Sequence, residues 1–140
     1  MTIQMILLPL FVHVLLVFCL LFWMGRTRFV AARTRQVKEL DPAASQYAWP
    51  PRAAQAARAF ENQFEIPVLF YVLVILALIT KEADLLFVVM SWLWVLTRIV
   101  HALVHTTSNR LSLRFPAFLA GVVILLVMWI NFAVRILFAL

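Results

Sequence analysis

Arg58, Glu61, Asn62 and Glu65 stand close together in a chain that is otherwise mostly apolar. At about 100° per residue, a helix gathers these four within about 100° of arc on one face. Further along, Arg98, His101 and His105 recur at helical spacing, on the same face as Ser91 and Trp94. A guanidinium matches a carboxylate bidentately, and a carboxylate accepts hydrogen bonds from an ammonium group. Two such faces set side by side, with apolar walls below them, form a charged pocket suited to an anionic, water-soluble ligand meeting a lipophilic one. Taken singly, the same residues read as structural. Arg58 can pair with Glu61 or Asn62 along its own helix, Arg98 can pair with Glu65 across helices, and such pairs glue bundles together. His13 reads the same way, as an isolated imidazole among apolar neighbours bonded to a backbone carbonyl.

Two further spacings bear on metal chemistry. Glu61-x3-Glu65 and His101-x3-His105 each put two possible ligands one helical turn apart. The chain has three histidines, and arginines stand beside the candidate ligands, so no metal site is expected. There is no glycine-rich phosphate loop, no serine nucleophile elbow and no cysteine pair. The single cysteine, Cys19, excludes an internal disulfide.

The elements that position these residues follow from composition. Of the 140 residues, 66% are hydrophobic and only 13% charged, with a mean hydropathy of +1.02. A soluble domain is nearer half apolar and spreads charge over its surface. Four stretches, at about 3–24, 64–79, 85–104 and 115–137, are long and apolar enough to cross a bilayer as helices. With only two glycines in the chain, uninterrupted apolar runs favour helices over barrel strands. The predicted fold is a single all-α domain, a four-helix transmembrane bundle spanning 1–140. Pro51 suits the first turn of a helix running to Thr80, which at about 1.5 Å per residue is longer than the bilayer is thick. Pro67 should kink that helix, and Pro116 should sit in the first turn of the fourth. The first span lacks a preceding basic residue and a small-x-small cleavage site, so it reads as a membrane span and not a cleaved signal.

The net charge is +6, and the basic residues are unevenly placed. Arg26, Arg28, Arg33, Arg35, Lys38 and Arg52 lie between the first two spans, and Arg110 and Arg114 between the last two. Between spans two and three, Lys81 stands beside Glu82 and Asp84. The positive-inside rule then puts the first and third loops in the cytoplasm and both termini outside. Basic charge on a cytoplasmic membrane face accounts for the balance without nucleic acid. The stretch 26–57 is the one sizeable aqueous element, and its early part is expected to continue the first helix as far as Asp41-Pro42.

The pattern Arg58-x3-Asn62-x2-Glu65, followed by a proline and an aromatic-rich span, resembles the MAPEG family, the membrane-associated proteins of eicosanoid and glutathione metabolism. The stretch Asn62-Gln63-Phe64-Glu65-Ile66-Pro67-Val68-Leu69-Phe70 is similar to bacterial members in particular, which implies a bacterial inner membrane. The third span agrees, with Arg98 followed at three and seven residues by His101 and His105. The basic end of the first helix at Arg26 and Arg28, and the Arg-Pro region opening the fourth, also resemble the family. The resemblance implies a homotrimer embedded in lipid, with glutathione between neighbouring subunits as a co-substrate. It implies Arg58, Asn62 and Glu65 as tripeptide ligands, with Arg98, His101, His105, Arg26 and Arg28 as further binding residues. Family transferases use an arginine near the start of the fourth helix to stabilise the thiolate, which here points to Arg114, with Arg110 as the alternative. Such an enzyme would be a glutathione-dependent transferase or peroxidase acting on lipophilic electrophiles.

The sequence departs from the glutathione enzymes at three points. They commonly carry Tyr directly after the motif glutamate, where this chain has Ile66, and their third-span tyrosines are His101 and His105 here. Their proline falls one position later than Pro67. These departures keep two other readings open, a non-catalytic scaffold or accessory subunit of the same fold, and a binder of another anionic or lipid ligand.

Overall fold

The computed structural model describes residues 1–138. Its elements are α1 (Ile3–Arg33), a short hairpin of β1 (Lys38–Asp41) and β2 (Gln46–Ala48), α2 (Pro51–Glu61), α3 (Pro67–Thr80), α4 (Leu85–Thr106) and α5 (Leu111–Phe138). Four helical stretches are long and apolar enough to cross a membrane: α1, α4, α5, and α2 with α3 taken as one stretch from Pro51 to Thr80.

The second stretch is broken rather than merely kinked. Helix α2 ends at Glu61, Asn62–Phe64 form a 3-10 turn, and Glu65 leaves helical geometry at φ −94°, ψ −106° before α3 starts on Pro67. Proline has no N–H for the residue four earlier, and its ring crowds that residue's carbonyl. The break therefore falls on the turn N-terminal to Pro67. The Gln63 side-chain amide turns back to donate to the Ala59 carbonyl at 3.0 Å.

Two other ends differ from the sequence expectation. Helix α1 stops at Arg33 and does not run on to Asp41-Pro42. Arg35 takes the left-handed conformation (φ 56°), and the Gln36 amide bonds back to Ala31 O at 3.0 Å. The hairpin follows, with Lys38 opposite Ala48 and Glu39 opposite Tyr47. Helix α5 starts at Leu111, so Pro116 lies inside it and not in its first turn.

Helix α4 packs against α5 and α1, and α3 packs against α1 and α5. The four long segments thus follow one another round the bundle as α1, α3, α5, α4. Phe70 of α3 stacks on Trp94 of α4 across the centre, with ring centroids 4.1 Å apart. Phe70, Leu73, Val74, Trp94 and Val95 are fully buried, while the outward faces carry exposed Phe, Leu, Ile and Val. Lipid is as apolar as leucine, so close packing and hydrogen bonds hold such helices together more than water exclusion does. Gly121 of α5 shows this: a Cβ there would lie 2.8 Å from Thr97 Oγ1 of α4.

Candidate functional site

Helices α2, α4 and α5 surround a pocket of about 420 Å³ at the end of α4 that carries His105. Arg58, Glu61, Asn62 and Glu65 line it from α2 and the break that follows. His101 and His105 line it from α4, and Arg114 from the first turn of α5. Leu111, Phe115 and Phe118 supply apolar wall. The four residues that a continuous helix would have stacked on one face still converge, although Asn62 and Glu65 reach the pocket through the break. Gln55 ties α2 to the end of α4 by donating to the His105 carbonyl at 2.5 Å.

The pairings differ from those expected. Arg98 does not pair with Glu65. It is buried, and its guanidinium donates to Asn62 Oδ1 at 2.5 Å and to Gln63 Oε1 at 3.3 Å. Glu65 instead accepts from Asn62 Nδ2 at 3.3 Å. Arg58 pairs with neither Glu61 nor Asn62, and among the described residues Arg58 and Glu61 form no ion pair. Arg114 donates to Asn109 Oδ1 at 2.6 Å, and Arg110 does not line the pocket. Both imidazoles in the wall have a buried Nδ1 without a partner among the described residues.

His13 also departs from the reading of an isolated imidazole on a carbonyl. Its Nδ1 lies 2.5 Å from the Tyr71 hydroxyl and its Nε2 3.1 Å from Gln63 Oε1. Gln63 already donates through its amide nitrogen to Ala59 O, so its oxygen is the acceptor in both remaining bonds. His13 therefore carries its proton on Nε2, and Nδ1 receives the Tyr71 O–H. A chain of hydrogen bonds thus runs from α3 through α1 and α4 to Glu65 at the pocket. Gln63 and Tyr71 are the members that sequence reasoning missed. Gln63 sits next to Asn62 in a polar turn, and Tyr71 lies on a span otherwise almost wholly apolar, so both carried a signal.

Arg26 and Arg28 stand apart from this pocket within one chain. Arg26 lines a separate cleft between α1 and α2, and the Arg28 guanidinium lies 5.0 Å from the centre of the Trp49 ring. At the other end of the bundle Arg135 pairs with Asp84 and, at 3.9 Å, with Glu82. Asp84 also caps α4, its Oδ1 accepting the Phe87 amide at 2.8 Å. Burial pushes the Asp84 carboxyl up, but the Phe87 amide and the Arg135 guanidinium together hold it below the ordinary aspartate value. No group of three or more His, Cys, Asp and Glu side chains suited to a metal gathers among the described residues.

Four helices long and apolar enough to cross a membrane, three of them meeting at a pocket that holds two arginines and two glutamates, define an integral membrane protein. The chain belongs to the MAPEG family, whose family model matches residues 6–134. No curated protein and no solved structure matches it significantly.

Proposed function

We propose that the pocket of Arg58, Asn62 and Glu65 binds glutathione, and that the protein is a glutathione-dependent transferase or peroxidase acting on lipophilic electrophiles. One observation carries this reading: Arg58, Glu61, Glu65 and Arg114 converge on a single cavity, and neither Arg58 nor Glu61 is neutralised by another side chain among the described residues. A zwitterionic tripeptide offers the carboxylates and the ammonium group that such a set recognises. Arg114 supplies positive charge beside the thiol, which favours the thiolate. The thiol proton passes to water, and the sulfur attacks the electrophilic carbon. The S–C bond forms as the leaving group departs with its electron pair. With a lipid hydroperoxide, two thiols are instead oxidised to a disulfide while the peroxide is reduced to an alcohol and water.

A homotrimer fits the same reading. Arg58, Glu61 and Glu65 are exposed on the flank of a span in the single chain, and charges left open to lipid are costly. A neighbouring subunit closing that flank would remove the cost. The asymmetry of basic residues supports an inner-membrane orientation with the first and third loops in the cytoplasm.

The test is a glutathione titration of the purified protein, read by thermal stability, paired with conjugation of an aryl halide. Saturable stabilisation and turnover, with turnover cut by Arg114→Ala at least about tenfold, is the expected result. Absence of both would favour the scaffold reading, which draws its support from His101, His105 and Ile66 standing where the family's enzymes carry tyrosines.

A further inference from the structure

A second cavity of about 420 Å³ lies where the end of α1 meets the start of α2. Arg26 enters it from α1 and Arg52 from α2, and the Arg52 guanidinium lies 5.2 Å from the centre of the Trp23 ring. Neither arginine forms an ion pair or a side-chain hydrogen bond among the described residues, where the ion pairs found belong to Arg135. The start of α2 adds to the same field. Its N-cap is Pro50, which makes no side-chain capping bond, and its first turn has no acid to offset the helix dipole. The cleft is thus positive on three sides.

Its surroundings are not those of a site for a soluble anion. Phe22, Arg26 and Phe29 fall at i, i+4 and i+7 on one face of α1, with Phe22 73% and Phe29 66% exposed. Arg26 therefore shares a helix face with two outward aromatic side chains. Trp23, Val30 and Ala53 line the interior. Cationic groups flanked by exposed aromatics, at the basic end of a membrane helix, match the boundary between headgroups and acyl chains.

We propose that this cleft binds the phosphate headgroup of an anionic phospholipid, with the acyl chains running down α1 past Phe22. Arg26 and Arg52 clamp the phosphate from two helices, so a bound lipid joins α1 to α2 and, through α2, braces the wall that carries Arg58. Within one chain the cleft shares no lining residue with the charged pocket, and the proposal does not depend on glutathione binding there.

The test uses the full chain in neutral detergent, with bound lipid read by native mass spectrometry and stability by thermal unfolding. Phosphatidylglycerol should bind saturably and stabilise the wild type, while phosphatidylcholine and soluble glycerol phosphate at equal concentration should not. Arg26→Gln/Arg52→Gln should weaken phosphatidylglycerol binding about tenfold or more. Arg33→Gln/Arg35→Gln removes as much charge from exposed positions outside the cleft, and should change binding less than about threefold. Val30→Trp fills the cleft while keeping both arginines, and should also abolish the effect; it decides the matter if the arginine variant does not fold. Equal losses in the two arginine pairs would reduce the effect to diffuse charge and overturn the proposal. So would equal binding of phosphatidylcholine, tight binding of glycerol phosphate, or displacement of the lipid by glutathione.

Discussion

Arg98 of α4 donates to Asn62 Oδ1 at 2.5 Å, so the residue that caps the end of α2 is held by a buried charge on another span. With its oxygen fixed on the guanidinium, the Asn62 amide nitrogen can face only the other way, and it donates to Glu65 at 3.3 Å. The orientation of one carboxylate at the pocket is thereby set from inside the bundle. Glu65 itself is left without a cationic partner among the described residues.

Glu65→Gln should therefore change the stability of the ligand-free protein by less than about 1 kcal/mol, because no buried ion pair is broken. Its effect on binding should be larger, about 2–5 kcal/mol, if the carboxylate meets a charged group of the ligand. Thermal unfolding of wild type and variant, with and without millimolar glutathione, separates the two quantities. A large loss in the ligand-free variant would contradict the pairing described.

Arg98→Met should behave in the opposite way. It leaves Asn62 Oδ1 without its donor and Gln63 Oε1 with His13 alone. An unsatisfied buried polar group costs about 1–3 kcal/mol, so a loss of that size is expected even without ligand. Denaturant unfolding in a fixed detergent measures it.

Asp84 combines a helix cap with an ion pair, and substitutions split the two. Asp84→Asn keeps the acceptor for the Phe87 amide and loses the charge facing Arg135. The side chains of Arg135 and Asp84 are 31% and 39% exposed, so this loss should stay below about 1 kcal/mol. Asp84→Ala removes the cap as well and should cost about 1 kcal/mol more. The folded carboxyl sits below its ordinary value of 3.8, so its contribution is present above that pH and is lost as pH falls through the lower folded value. Acid unfolding of Asp84→Asn should lack this component.

Gly121→Ala tests the contact between α4 and α5. Alanine is the better helix former by about 1 kcal/mol, yet its Cβ would stand 2.8 Å from Thr97 Oγ1. That hydroxyl is held by its bond to the Trp94 carbonyl at 2.6 Å, and the β-branched side chain has few other rotamers. A net loss of about 1–2 kcal/mol is expected. Thr97→Ala in the same chain should restore stability, which double-mutant thermal unfolding would reveal.

Orientation and assembly are checked by labelling and mass. In a Cys19-free background, an impermeant thiol reagent on intact cells should label Ala83→Cys and spare Ser45→Cys. The reverse pattern would invert the orientation. Native mass spectrometry in mild detergent should give three times the 16.1 kDa chain mass. A monomer or dimer would count against the trimer.

The four spans were legible in the sequence because bilayer thickness sets helix length, and apolar runs of that length need no tertiary information. Arg58, Glu61, Asn62, Glu65, His101, His105 and Arg114 were legible as site candidates because polar groups in an apolar chain are few and helical spacing groups them. Their partners were not legible. A one-dimensional pattern says which residues share a face, but not which faces meet or how a helix yields at a proline. The 3-10 turn before Pro67 took Glu65 off the α-helical register, and Arg98 bonds to Asn62 and Gln63 instead. The meeting of α1 with α3 carried His13 to Tyr71, 58 residues away in the chain. The same packing left Arg26 in a cleft of its own, because the hairpin from Lys38 to Ala48 returns the chain to the end of α1 before α2 begins. Hydrogen-bond partners are chosen by distance and direction at the scale of an ångström, and only the packed bundle fixes either.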